Sequence, residues 1–178
     1  MSLNNLLLID NHYFPCINYI KILFENTHGD IFSSQPYQKM SFRNRCVVAG
    51  GYGLIHLSVP VMYGRNQKLP FKDVRISYTE AWQKQHWVTL VSCYGKSAFF
   101  EFYRDGLEQF FVKKETFLFN LDIAILSWLQ KILRFKAEIR VHEQAEKFDG
   151  TGVVNLQNKW LPKNFQQPEL NSFGQEYR

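Results

Sequence analysis

Three glycines set between two apolar runs constrain this chain more than any other feature, because they oblige it to turn back on itself near residue 52. Residues 46–49 are wholly apolar, and Gly50, Gly51 and Gly53 follow. Glycine takes the positive backbone angles of a tight reversal at little steric cost. In the returning run, 54–62, Ile55, Leu57, Val59 and Val61 recur at every second position. That is the period of a strand with one buried face, so His56 and Ser58 are expected on the other face. Pro60 cannot donate to a ladder, which predicts an edge strand or a bulge near the end of this run. Lys39, Arg43, Asn44 and Arg45 lead directly into the hairpin. A cationic, amide-bearing edge is therefore mounted on a rigid reversal.

Leu6–Ile9 is a short all-apolar run, the pattern of a strand covered on both faces. Asp10, Asn11 and His12 follow, then Pro15 and a helix predicted over Ile17–Glu25, with the next strand at 30–32. Strand, polar turn and helix in that order place loop residues at the carboxyl ends of strands, where α/β sheets bind their ligands. Val74, Ile76 and Tyr78 alternate with Arg75 and Ser77, which predicts a half-exposed strand over 74–78. Thr79 is the expected N-cap of a helix running to Tyr94. On that helix Trp87, Val88, Leu90, Val91 and Tyr94 form a broad apolar side, and Trp82, His86 and Cys93 form a second stripe. A helical turn is expected at 99–103, helices at 105–112 and 116–135, and a late strand at 138–141. The fold class is α/β: a single-domain mixed sheet with a glycine-turn hairpin and a helix-rich second half. The domain is expected over 1–142. A loop-rich, partly ordered tail is expected over 143–178, where FGQEYR looks like the start of a segment that continues.

With 178 residues, 46% hydrophobic and 21% charged, the chain can bury a sizeable core without metals or disulfides. A formal net charge of +5 favours an anionic small-molecule partner such as a phosphate or nucleotide sugar. It is too mild for nucleic acid, and no dense Lys/Arg run exists. Cys16, Cys46 and Cys93 stand far apart with no CxxC pairing, as in a reducing compartment. The N-terminal apolar run is too short for a secretory signal or a membrane span, so a cytoplasmic protein is expected. The sequence has no GxGxxG, no GxxxxGK[ST], no HExxH and no GxSxG. No metal is expected; the cofactor and the oligomeric state stay open.

Three constellations carry candidate chemistry. His12, with Tyr13 and Tyr19, sits at the strand-to-helix junction; a histidine there can move a proton or contact a phosphate on the helix N-terminus, or simply cap a turn. Lys39, Arg43, Asn44 and Arg45 suit an anion, Arg as a planar fork and Lys as a point charge. In a strand Arg43 and Arg45 share a face, so at most two of Arg43, Asn44 and Arg45 can aim at one ligand. Their alternative role is protection of an edge strand. In AWQKQHW, Trp82 and His86 lie four apart on one helix face beside Lys84 and could stack a ring and carry a proton, or be plain core.

The segments HYFPCINY, YQKMSFRNRCVVAGGYG, LSVPV and WQKQHW followed by Tyr94 together resemble the WbqC-like family in order and spacing, from about Leu6 to Tyr103. His12 stands where many relatives carry glutamine. The resemblance implies a protein of surface-polysaccharide (O-antigen) gene clusters, a transferase putting an amino-acid or acyl group on an amino or nucleotide-linked sugar. It carries no established catalytic residues. On this reading Lys39, Arg43, Asn44 and Arg45 hold an anionic group, Tyr13, Tyr19, Trp82 and Lys84 complete the binding site, and His12 or His86 moves a proton. All are expected to face one cleft. The alternatives are a nucleotidyltransferase-like enzyme, from the strand–HYFP–helix opening, and a non-catalytic binding or assembly protein built on the aromatic clusters.

Overall fold

Four apolar residues in a row need cover on both sides, and Leu6–Ile9 (β1) finds it inside a parallel sheet. The computed structural model describes residues 6–64, 68–143 and 153–159. Ile17–Glu25 (α1) carries the chain from β1 to His28–Phe32 (β2), which pairs parallel with β1 through Leu8↔Asp30 and Ile9↔Ile31. Arg45–Gly50 (β3) and Gly53–Ser58 (β4) form the hairpin. Helices Trp82–Tyr94 (α2), Phe100–Val112 (α3) and Leu118–Leu133 (α4) precede Glu138–His142 (β5) and Val153–Asn155 (β6). The main sheet has the order β5-β2-β1-β6 with every neighbour parallel. The fold is thus α/β with mixed strand directions, divided between this sheet and a separate two-stranded antiparallel hairpin.

Helix α1 buries Tyr19, Ile20 and Leu23, one side of the helix, within the core that also holds Leu7, Ile9 and Ile31. Gly29 of β2 makes that closeness possible: a Cβ there would meet Ile9 Cδ1 at 3.0 Å, Leu23 Cδ2 at 3.1 Å and Ile139 Cδ1 at 3.2 Å. The second half of the chain closes on the first through Leu118, Leu121, Ile125 and Leu126 of α4, all buried at helical spacing. Asn11 ties the two halves, donating from Nδ2 to the Phe119 carbonyl at 3.0 Å.

Several local expectations need correction. The returning strand ends at Ser58, four residues before Met62. Val59 still donates to the Asn44 carbonyl, but Pro60 breaks the ladder and Val61 bridges Ile76 instead. The single buried face holds only at the hairpin's base, where Cys46 and Leu57 pair; towards the tip, on the same face, Ile55 is 36% exposed. Residues 74–78 keep the expected alternation, with Val74 and Ile76 buried and Arg75 exposed, yet make only isolated bridges. Thr79 does not cap α2: the helix starts at Trp82 after Ala81 with no side-chain cap, and Thr79 Oγ1 bonds Ser77 Oγ. The buried line of α2 is Trp82, His86 and Leu90, whereas Val88 on the supposed apolar side is 56% exposed. Segments 99–103 and 105–112 are one helix, α3. Residues 153–155, assigned to the tail, form β6 and pair with β1 through Leu7↔Val154. The sheet therefore draws a strand from beyond residue 142. The expectation for 144–152 and 160–178 lies outside the described residues.

Gly29→Ala is expected to destabilise the protein by about 1–3 kcal/mol, because the methyl groups of buried Ile9 and Leu23 and of half-buried Ile139 must yield. Urea denaturation checks this, and an unchanged midpoint would refute the packing described.

Candidate functional site

The carboxyl end of β1 delivers Asp10, Asn11 and His12 into the protein interior, where all three are buried. A buried carboxylate needs a partner. Asp10 Oδ1 accepts from Arg43 Nη2 at 2.9 Å, and each side chain is 3% exposed. The other oxygen, Oδ2, accepts from the Asn158 backbone N–H at 2.5 Å. Arg43 also donates from Nη1 to the Pro36 carbonyl at 2.9 Å and from Nη2 to Gln35 Oε1 at 2.8 Å, and its guanidinium lies 5.0 Å from the Phe71 ring centroid. These bonds turn Arg43 inward to the protein itself. Asn44, predicted to sit beside it at a ligand, instead joins the hairpin base, donating from Nδ2 to the Val59 carbonyl at 3.0 Å. Tyr19 donates its hydroxyl to the Asp10 carbonyl at 2.9 Å. His12 packs against Tyr19 and Phe42, with ring centroids at 5.1 and 5.9 Å. Burial lowers its pKa to about 4; Asp10 pulls it up and Arg43 pushes it further down.

Tyr13, the next residue, serves a second centre. Its hydroxyl lies 2.9 Å from His86 Nδ1, a hydrogen bond that joins the β1–α1 connection to α2. The Tyr13 backbone N–H donates to the Phe42 carbonyl, fixing that connection against the segment before β3. Trp82 and Phe111 pack edge-on to His86, at 5.2 and 6.3 Å. Burial lowers the His86 pKa to about 4, against a hydrogen bond with the Ser58 backbone that raises it. Burial likewise raises the Tyr13 pKa well above the phenolic range, with Cys46 and Asp122 adding to it. At neutral pH this is a pair of uncharged groups in hydrogen-bond contact.

The structure therefore brings Tyr13, Trp82 and His86 together, and groups His12, Tyr19 and Arg43 around Asp10. No side chain among the described residues bonds to both Arg43 and His86. Lys39 is exposed, and Arg45 is half-buried in the ladder opposite Ser58. Lys84 is exposed on α2, along a surface cleft shared with Tyr78, Trp87 and Lys114.

Beside Tyr13 opens a cavity of about 310 Å³ between the hairpin base, α3 and α4. Phe14, Leu57, Leu90, Leu107, Phe111, Trp128, Leu129 and Ile132 are among its walls, and no charged residue lines it. Cys46 also lines it, and burial pushes its thiol up to about 12, which keeps it protonated and a poor nucleophile. Sequence reasoning missed this cavity, since its walls come from segments whose meeting only the tertiary structure supplies.

It also missed Asp122, which is fully buried on α4 with neither carboxyl oxygen bonded to a described residue. Burial raises its pKa well above the carboxylate range, although Arg43 works against the shift. The signal was legible: Asp122 falls on the stripe of Leu118, Leu121 and Ile125, an acid where the helix faces the core. Among the described residues no group of three or more His, Cys, Asp or Glu could hold a metal ion, and no helix is long and apolar enough to cross a membrane.

A parallel sheet with polar residues gathered at its carboxyl edge, and an antiparallel hairpin beside it, defines an α/β protein. The chain belongs to the WbqC-like protein family, whose model matches residues 11–165. No curated protein and no solved structure matches it.

Arg43→Ala leaves Asp10 buried without its cation and is expected to cost about 3–5 kcal/mol of stability. A loss under 1 kcal/mol in urea denaturation would show that the pair does not hold the sheet edge. His12 gives a pH test. Its folded pKa, about 4, lies below the usual 6.5, so the stability it confers is full above 6.5 and is lost as pH falls towards 4. Asp122 is shifted upward by burial, so its contribution changes with pH in the opposite sense, and the readout is a difference between proteins. Between pH 6.5 and 5, His12→Gln should lose less stability than the parent, by a slope that grows towards a limit of about 1.4 kcal/mol per pH unit. Parallel curves would contradict the assignment.

Proposed function

We propose that the chain is a transferase that places an acyl or amino-acid group on an amino or nucleotide-linked sugar, the step in surface-polysaccharide assembly that the family resemblance implies. The observation that carries this reading is the buried, uncharged Tyr13–His86 hydrogen bond on the wall of an apolar cavity. When an amine attacks an acyl carbonyl, the nitrogen lone pair forms the new C–N bond and the leaving group departs with the electrons of the bond that breaks. One proton must then leave the nitrogen. Tyr13 takes it at Oη while passing its own to His86 Nδ1, a relay across the 2.9 Å bond. A low dielectric around the pair strengthens its hydrogen bond to the developing charge.

The anionic part of the substrate falls to Lys39 and Arg45, the members of the basic cluster that reach solvent. Arg43 and Asn44 support the strand ends instead, and Trp82 and Tyr19 hold the histidines in place. Lys84 flanks a separate cleft with Trp87, suited to a ring and an anion on the outer side of α2. The reading takes the protein to be cytoplasmic, in keeping with its unpaired cysteines.

A non-catalytic assembly role draws support from one observation, the exposure of Phe99 and Phe102 at 78% and 79%. Under that role Phe102→Ser changes the sedimenting mass, and no substrate is turned over.

The transferase reading is tested first by melting in a panel of nucleotide-linked and amino sugars, where a binder raises Tm of the parent but not of Arg45→Ala. A flat response across the panel overturns it. With an active sugar in hand, Tyr13→Phe is expected to lower kcat by about 10²-fold with KM little changed. Full turnover in that variant would remove the pair from the mechanism.

A further inference from the structure

The cavity beside Tyr13 is far more apolar than an anionic sugar nucleotide requires. Its walls come from β3, β4, α2, α3 and α4 and contain no charged residue. The Tyr13 hydroxyl is engaged by His86, which leaves that wall with little hydrogen-bonding capacity to offer a polar ligand. A charged or heavily hydroxylated group placed here would lose its water without gaining partners. A hydrocarbon group would lose only unfavourable contact with solvent. The volume, about 310 Å³, is at the lower end for small-molecule sites. It holds on the order of ten non-hydrogen atoms at the roughly 30 Å³ that each water occupies in the liquid. Val47 and Tyr103 line it and are partly exposed, so it opens to solvent there.

We propose that this cavity seats an apolar acyl group of about ten non-hydrogen atoms, with its carbonyl end beside Tyr13 and its charged carrier outside. This rests on the transferase reading and narrows it: the donor carries a hydrocarbon acyl group and not a small amino acid such as glycine or alanine. A small group would leave most of the space empty, and the lining would forfeit its contacts.

The test uses the full chain and a series of n-alkan-1-ols from butanol to dodecanol, measured by calorimetry without any sugar. Affinity is expected to rise about fourfold per added methylene, the factor for burying one CH2, and to level off near ten carbons. Leu129→Trp, which fills the space, should abolish the dependence on chain length. If that variant does not fold, Ile132→Trp at the half-buried wall is read in its place. No binding by any alkanol, or a chain-length dependence that survives in the folded filling variant, overturns the proposal. The alkanol measurement is independent of turnover. Chain-length-dependent binding that the filling variant abolishes, together with a sugar panel that gives no response, overturns the transferase and leaves the cavity an apolar-ligand site. Transfer to a sugar without any alkanol binding overturns the cavity assignment alone.

Discussion

A charge taken out of water must be met on all sides, and the Asp10–Arg43 pair is where this protein meets that demand. Each oxygen of Asp10 has a partner, and the guanidinium spends its donors on Asp10, Gln35 and Pro36. Four stretches of chain converge there: the end of β1, the connection after β2, the approach to β3 and the residues following β6. Replacing such a pair with apolar groups of equal volume can be neutral, but removing one member is costly, so the geometry is self-enforcing. The sheet's carboxyl edge is locked before any ligand arrives.

That lock divides the polar interior in two. His12 and Tyr13 are neighbours in sequence, but the chain bends at Tyr13 and Phe14 and the two side chains take different partners. His12 turns to the ion pair, where burial and Arg43 keep it neutral. Tyr13 turns to α2, where it meets His86 at the edge of the apolar cavity. The first centre is saturated by the protein, and the second pairs a proton donor with an acceptor beside open space. Asp122 has no described bonding partner and burial raises its pKa; when ionised, its charge raises the pKa values of Tyr13, Tyr19 and Cys46. A buried carboxyl without a partner is a standing cost in stability, and its influence on Tyr13 and Cys46 ties that cost to the region where the chemistry is proposed.

The sequence made some of this legible and hid the rest for physical reasons. The run Leu6–Ile9 and the helix Ile17–Glu25 are where local pattern placed them, because an all-apolar run and a Pro-led amphipathic segment leave few choices. The hairpin's pairing was equally plain, but alternation shows which residues share a face and not whether anything covers that face, so the exposure of Ile55 near the tip was invisible. Arg43 and Arg45 look alike in sequence. Only the acid 33 positions away, Asp10, separates the locked arginine from the accessible one. Strand β6 is three residues in a polar tail, and its place in the sheet depends on pairing with β1 across the whole chain. Asp122 is the opposite case, an anomaly on an apolar stripe that pattern alone could have flagged.

The central claim is that Tyr13 and His86 form a neutral pair out of contact with bulk water. The 15N chemical shifts of the His86 ring, followed from pH 8 to pH 3.5, test it most directly. The account predicts an uncharged ring with Nδ1 accepting a hydrogen bond, protonating only near pH 4. A midpoint near 6.5, or a ring already doubly protonated at pH 6, would contradict it.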